Sequence, residues 1–393
     1  MRPLVAIMLV GMILPHLRAA EPPLVERYLH AGELAKGEQA LEFALGAEPK
    51  DDQLRFGLGF LQFFRGVERL GQSLHEYGIK SEHQNLPFLR LPIDPNPDAS
   101  PITYPAFRRI LEQMHRDLAT AESTLAKITD DNVKLPIRLA KIRLDLHDNG
   151  KRVPFVDIMK RIMRVNTLEF LKNNPDFEVH FDRGDVAWFR GYCHLLMGML
   201  DVYLSADSED AFDHFAAEAF AKPKRRLPGK PEISSDKPIV MKETARLGHF
   251  RKHLLAVCEL NRESWKFIRA ETDNDYEWLP NPKQQSAIGL PVRAEMVDTW
   301  LTMMAELEDL LNGKKIIPQA ILRFVWPSIE GGLNMKRLLD DPPEKFDWDS
   351  ITKNGPQAKY LDKKGDSFDV GVIFSTFQMF NDPMGMGYMA WFN

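Results

Sequence analysis

The sequence predicts a mainly α-helical protein: helical hairpins with a repeat-like N-terminal pair packed on a helical body, and an irregular C-terminal segment carrying one or two short strands. Three observations predict it. Apolar residues recur three and four positions apart through residues 106–128, 185–204, 240–272 and 292–311. Small residues near the N-terminus return after thirty-four positions, the period of a stacked helical hairpin. No alternation of strand-like and helix-like segments runs through the chain, which disfavours doubly wound nucleotide-binding folds. Hydrophobic residues at 44% and charged residues at 27% supply a large core and argue against disorder.

Residues 1–20 read as an export signal. Arg2 provides the positive end, Leu4 to Leu14 the apolar core, and Pro15 the break before the small residues Ala19 and Ala20. That core is too short to span a bilayer, which takes about 20 apolar residues. The expectation is an exported protein, periplasmic or extracellular, with no transmembrane segment in the mature chain. The 51 basic residues, two of them (Arg2 and Arg18) in the leader, face 56 acidic ones, leaving the mature chain near −7. Such a surface disfavours nucleic acid. Cys193 and Cys258 both fall on apolar helical faces and read as buried thiols rather than a disulfide framework.

Residues 21–84 carry the repeat. Leu24, Gly32 and Gly37 return as Leu58, Gly66 and Gly71, and Ala44-Leu45 and Pro49 complete the first unit. Small residues let antiparallel helices approach closely, and proline ends the second. This pattern resembles two tetratricopeptide-type repeats, and the resemblance implies a concave surface for a protein or peptide partner. Residues 85–105 are proline-rich and read as a crossing. Residues 106–320 form the helical body, and 321–393 the irregular C-terminal segment, whose apolar tail is expected to pack on the body.

Within the body, Val133–Leu146 reads as a helix and Asp145-Leu-His-Asp-Asn-Gly as a loop before a helix at 154–165. Asp145, Asn149 and Gly150 match positions one, five and six of an EF-hand loop, and Asp157 stands one residue past position twelve. That likeness implies calcium as a candidate cofactor; no other cofactor is indicated. His249 and His253, four apart on one helix, offer two imidazoles on one face for a metal.

Segment 185–204 is apolar nearly all round and must be buried, with Asp185 at its start. One polar stripe interrupts it: Arg190, His194 and Asp201 project within roughly 40° of one another at about 100° per residue. Glu271, Asp273 and Asp275, beside Trp278, belong to the most acidic loop, a candidate site for a cation or a basic ligand. The strings Asp182 to Met197, Glu271-Thr-Asp to Gln284, and Trp391-Phe-Asn393 resemble those of exported bacterial helical proteins for which no activity is established.

There is no Gly-x-Ser-x-Gly, His-Glu-x-x-His, phosphate-binding glycine loop or haem-attaching Cys-x-x-Cys-His. Two functions follow. The first is a protein- or peptide-binding scaffold built on the repeat-like pair. The second is a hydrolase, small-ligand or metal binder using Arg190, His194 and Asp201 with the acidic loop 271–277.

Overall fold

The computed structural model describes residues 21–80, 90–163, 169–225, 238–274, 276–287, 289, 291–380 and 391–392. Residues 1–20, for which export is the expectation, and Asp275 lie outside them. The described residues are mainly helical, with short strands paired two by two. None of the described helices is long and apolar enough to cross a membrane.

The first hairpin forms as expected: α1 (Leu24–Ala31) turns into α2 (Leu34–Ala47) through Gly32, whose φ of +61° suits glycine. The second does not. Residues 52–76 run as one helix, α3, with Gly66 and Gly71 inside it. No proline or turn-forming cluster interrupts this stretch, so the helix simply continues. The repeat glycines serve another purpose. A Cβ at Gly59 would stand 2.6 Å from Leu125, one at Gly66 3.0 Å from Asp117, and one at Gly71 2.7 Å from Leu146. The face of α3 is thereby closed by the chain's own α4 (Tyr104–Leu125) and the 135–146 segment. Gly59→Val is expected to cost about 1–3 kcal/mol through overpacking; urea denaturation should show a lowered midpoint at unchanged slope.

Val133–Leu146 is not a helix. Pro136 lies in a strand, β1 (Leu135–Ile137), with β2 (Arg143–Leu144) after it; β2 pairs with β3 (Val153–Pro154) and β1 with β4 (Val179–Phe181). Val133, Leu135, Ile137 and Leu139 alternate with the period of a strand, and Leu135 and Ile137 are buried in this pairing. The 154–165 expectation holds as α5 (Phe155–Met163), followed by the short α6 (Glu169–Asn173).

The central helix is α7 (Arg183–Ser205). Its cap is Asp182 rather than Asp185: Asp182 Oδ1 accepts from the Gly184 amide at 2.8 Å, and Asp185 Oδ2 returns the bond to the Asp182 amide at 3.1 Å. Beyond α8 (Glu209–Ala219), α9 (Ala245–Ala270) lies along α7, α4 packs on α7 as well, and α10 (Ala294–Leu311) packs on α9. The helices thus run α3, α4, α7, α9, α10 across the body. Burial of α7 is incomplete, since Met199 and Val202 near its C-terminal end are exposed. Cys193 and Cys258 are buried free thiols, both pushed up by burial.

Beyond α10, paired strand fragments join Lys315–Ile316 to Asp366–Ser367 and Gly332–Leu333 to Leu361–Asp362. The end of the tail is core. Trp391 and Phe392 are buried, the Trp188 indole donates to the Trp391 carbonyl at 2.8 Å, and the Phe392 ring lies 4.7 Å from Trp265.

Candidate cation sites on the central helix

The polar residues of α7 do not form one site. They separate into a carboxylate cluster at its N-terminus and an imidazole–carboxylate network along its second half.

The capping box that starts α7 places Asp182 and Asp185 one turn apart, and the exit of α9 brings back Glu271 and then Glu277. Carboxylate oxygens of Asp182, Glu271 and Glu277 all lie within 4.8 Å of one another. Asp185, 3% exposed, shares their field, and its Oδ1 has no hydrogen-bond partner among the described residues. Gln284 donates to Glu271 Oε2 at 3.0 Å, and Asn281 holds the turn by donating to the Ile268 carbonyl at 3.1 Å. Burial and the Asp182 carboxylate push Glu271 up to about 9. Burial, with Asp182 and Glu277 nearby, likewise drives Asp185 well above the carboxylate range, and burial raises Asp182. Negative charge gathers here faster than its hydrogen bonds absorb it.

The rest of the acidic loop disperses. Asp273 turns away to Lys134 at 2.5 Å. Trp278 packs against Phe181 and Trp188, both with ring centroids 5.9 Å away, as a wall of the core.

In the second half of α7, Arg190 and His194 both face Glu122 of α4, at 3.0 and 3.6 Å. His194 Nδ1 meets His253 Nδ1 of α9 at 2.8 Å, and His253 Nε2 faces Asp201 Oδ2 at 3.5 Å. Asp201 Oδ1 takes Arg246 at 2.8 Å and faces His115 Nε2 of α4 at 3.5 Å. Arg246 is shared with Glu243 at 2.6 Å. Burial, reinforced by His194, pulls His253 down to about 4, while His115 and Arg246 hold the buried Asp201 below its usual range. Arg190, His194 and Asp201 therefore belong to one connected network. Of the two histidines spaced four apart, only His253 joins it; His249 is exposed.

The EF-hand expectation fails. Asp145 spends its carboxylate on the backbone amides of His147, Asn149 and Gly150, at 3.2, 3.3 and 2.7 Å, and Asn149 accepts from Lys151. Asp157 points to Lys172 at 3.1 Å. With β2 in place of the entering helix, this is an Asx-type turn.

Sequence reading missed His115, Glu122, Asp182, Asp185 and Arg246 as site residues; Glu277 closes the acidic loop 271–277 that it singled out. A signal existed for the first two. They fall on one helical line with Leu111 and Leu118, where polar side chains interrupt an otherwise apolar stripe. Comparison with family models, curated proteins and solved structures finds no match to this chain.

Proposed function

We propose that this chain is a binder of a hard divalent cation, of the calcium class, at the N-terminus of α7. The observation that carries the reading is the convergence of Asp182, Glu271 and Glu277 within 4.8 Å, in the field of a buried Asp185 whose Oδ1 lacks a hydrogen-bond donor among the described residues. Calcium–oxygen bonds of about 2.3–2.6 Å put opposing ligands at most about 5 Å apart, which matches that spacing. Magnesium keeps several of its waters and suits a site with two nearly enclosed carboxylates less well. A bound cation would take the place of the protons that burial and the neighbouring carboxylates otherwise hold on Glu271 and Asp185. Export, the role proposed for residues 1–20, would deliver the protein to compartments rich in calcium.

Isothermal titration of the chelator-treated protein with calcium chloride at pH 8 is expected to yield one site with a Kd of ~10⁻⁴ M or tighter. The double variant Asp182→Asn/Glu271→Gln should lose it. A flat titration, or an unchanged one in the variant, would overturn the reading.

A second reading is a scaffold that docks a protein partner. The closure of the α3 face by α4 weighs against the repeat groove as the docking site. The exposed rings of Phe374 and Phe377, one turn apart on the helix Val370–Met379, favour a different face.

A further inference from the structure

We propose that His115, His253 and the free oxygen of Asp201 form a second, chemically distinct site, for one divalent transition metal of the zinc class, with Glu122 and His194 as its positioning residues. Three neighbouring helices, α4, α7 and α9, each contribute one donor, and the donor atoms lie within 4.8 Å of one another. Two imidazoles and a carboxylate are the ligand set of an open metal site, in which water or a substrate takes the remaining position. His253 Nε2 stands 3.5 Å from Asp201 Oδ2, close to the ~3.3 Å edge of a tetrahedron with metal–ligand bonds of about 2.0–2.1 Å, and His115 Nε2 stands 3.5 Å from the other oxygen of the same carboxylate, Oδ1. Asp201 is 1% exposed, and its Oδ2, turned toward His253, has no hydrogen-bond partner among the described residues. Both imidazoles are partly exposed, so an ion has a way in.

The hydrogen bonds behind His253 decide which of its nitrogens is bare. Arg190 grips Glu122 through two nitrogens, each at 3.0 Å. Glu122 is an acceptor only, so the proton of a neutral His194 sits on Nε2, facing Glu122 at 3.6 Å. His194 Nδ1 is then an acceptor, and the 2.8 Å contact requires His253 Nδ1 to donate. The His253 Nε2 lone pair is left pointing at the Asp201 Oδ2 lone pairs, 3.5 Å away. Three gaps join the two carboxylates and two rings, yet two neutral imidazoles supply protons for only two of them. A metal ion fills the third, and the relay to Glu122 is what fixes the ring tautomer. Arg246 stays on Asp201 Oδ1, its charge shared with Glu243.

Cobalt(II) titration of the full, chelator-treated chain, read by visible absorption, tests this. Expected is one equivalent of cobalt with a low-symmetry d–d spectrum, displaced by zinc. His115→Gln and His253→Gln should each weaken binding by at least 100-fold, and His194→Phe by about 10–100-fold. Circular dichroism of each variant shows that it has folded, and His115→Gln, at a partly exposed position, tests the site if His253→Gln does not fold. His249→Ala and Asp182→Asn/Glu271→Gln should leave the cobalt spectrum unchanged, which separates this site from the carboxylate cluster. The absence of a d–d spectrum, or one that survives His115→Gln, would mean that the network is structural only.

Discussion

Trp265→Ala is expected to lower the stability of the folded chain by about 3–5 kcal/mol. Trp265 is fully buried on α9, and its ring meets Phe392, which in turn lies 5.0 Å from Phe380 and 5.8 Å from Trp300. Truncation would empty the meeting point of α9, α10 and the chain's last residues, which come from more than a hundred positions away. The tail cannot collapse into the void without giving up the Trp188–Trp391 bond at 2.8 Å. Trp265→Phe provides the contrast. The indole nitrogen has no hydrogen-bond partner among the described residues, so losing it sacrifices no polar contact. That change should cost less than the alanine truncation, because it leaves the smaller void. Equal midpoints for the two variants in urea would show that the tail does not pack there.

Chelator-treated protein is expected to lose stability as pH rises from the ordinary carboxylate range toward about 9. Glu271 is pushed up to about 9 by burial and by Asp182, from an ordinary value of 4.5. Below that ordinary value the group is protonated in both folded and unfolded chains, and its contribution is complete. Between the two values the folded chain keeps a proton that the unfolded chain releases, so stability falls by ~1.4 kcal/mol per pH unit for one such proton. Above about 9 the slope from this group ends. Calcium should flatten the slope, because the ion takes the proton's place, and its affinity should rise through the same window. Thermal unfolding from pH 5 to 9, with and without calcium, measures both. A slope that calcium leaves untouched would separate the titration from any cation site.

The helical character of 104–125, 183–205, 245–270 and 294–311 was legible in the sequence because the apolar spacing there is long and regular. The segment 133–146 was misread, since Val133, Leu135, Ile137 and Leu139, then Ile142, Leu144 and Leu146, alternate with the period of a strand, although nothing local names Val179–Phe181 as the partner. The polar stripe of α7 was readable as costly, but not its partners. His115 and Glu122 come from α4, His253 and Arg246 from α9, and separations of 45 residues or more leave no local trace. Of the acidic loop, Glu271 and Glu277 turn in to meet Asp182, while Asp273 turns out to Lys134.

What the chain determined by itself is therefore local: where backbone hydrogen bonds close within a few residues, which faces are apolar, and that α7 is the helix around which the body packs. Only the tertiary structure decided the chemistry. Capping puts Asp182 and Asp185 at one end of α7, and α4 and α9 bracket its other half with imidazoles and arginines. A charge is indifferent to sequence distance: it answers to whatever the packing brings within a few ångströms, and packing is settled by the whole apolar surface at once.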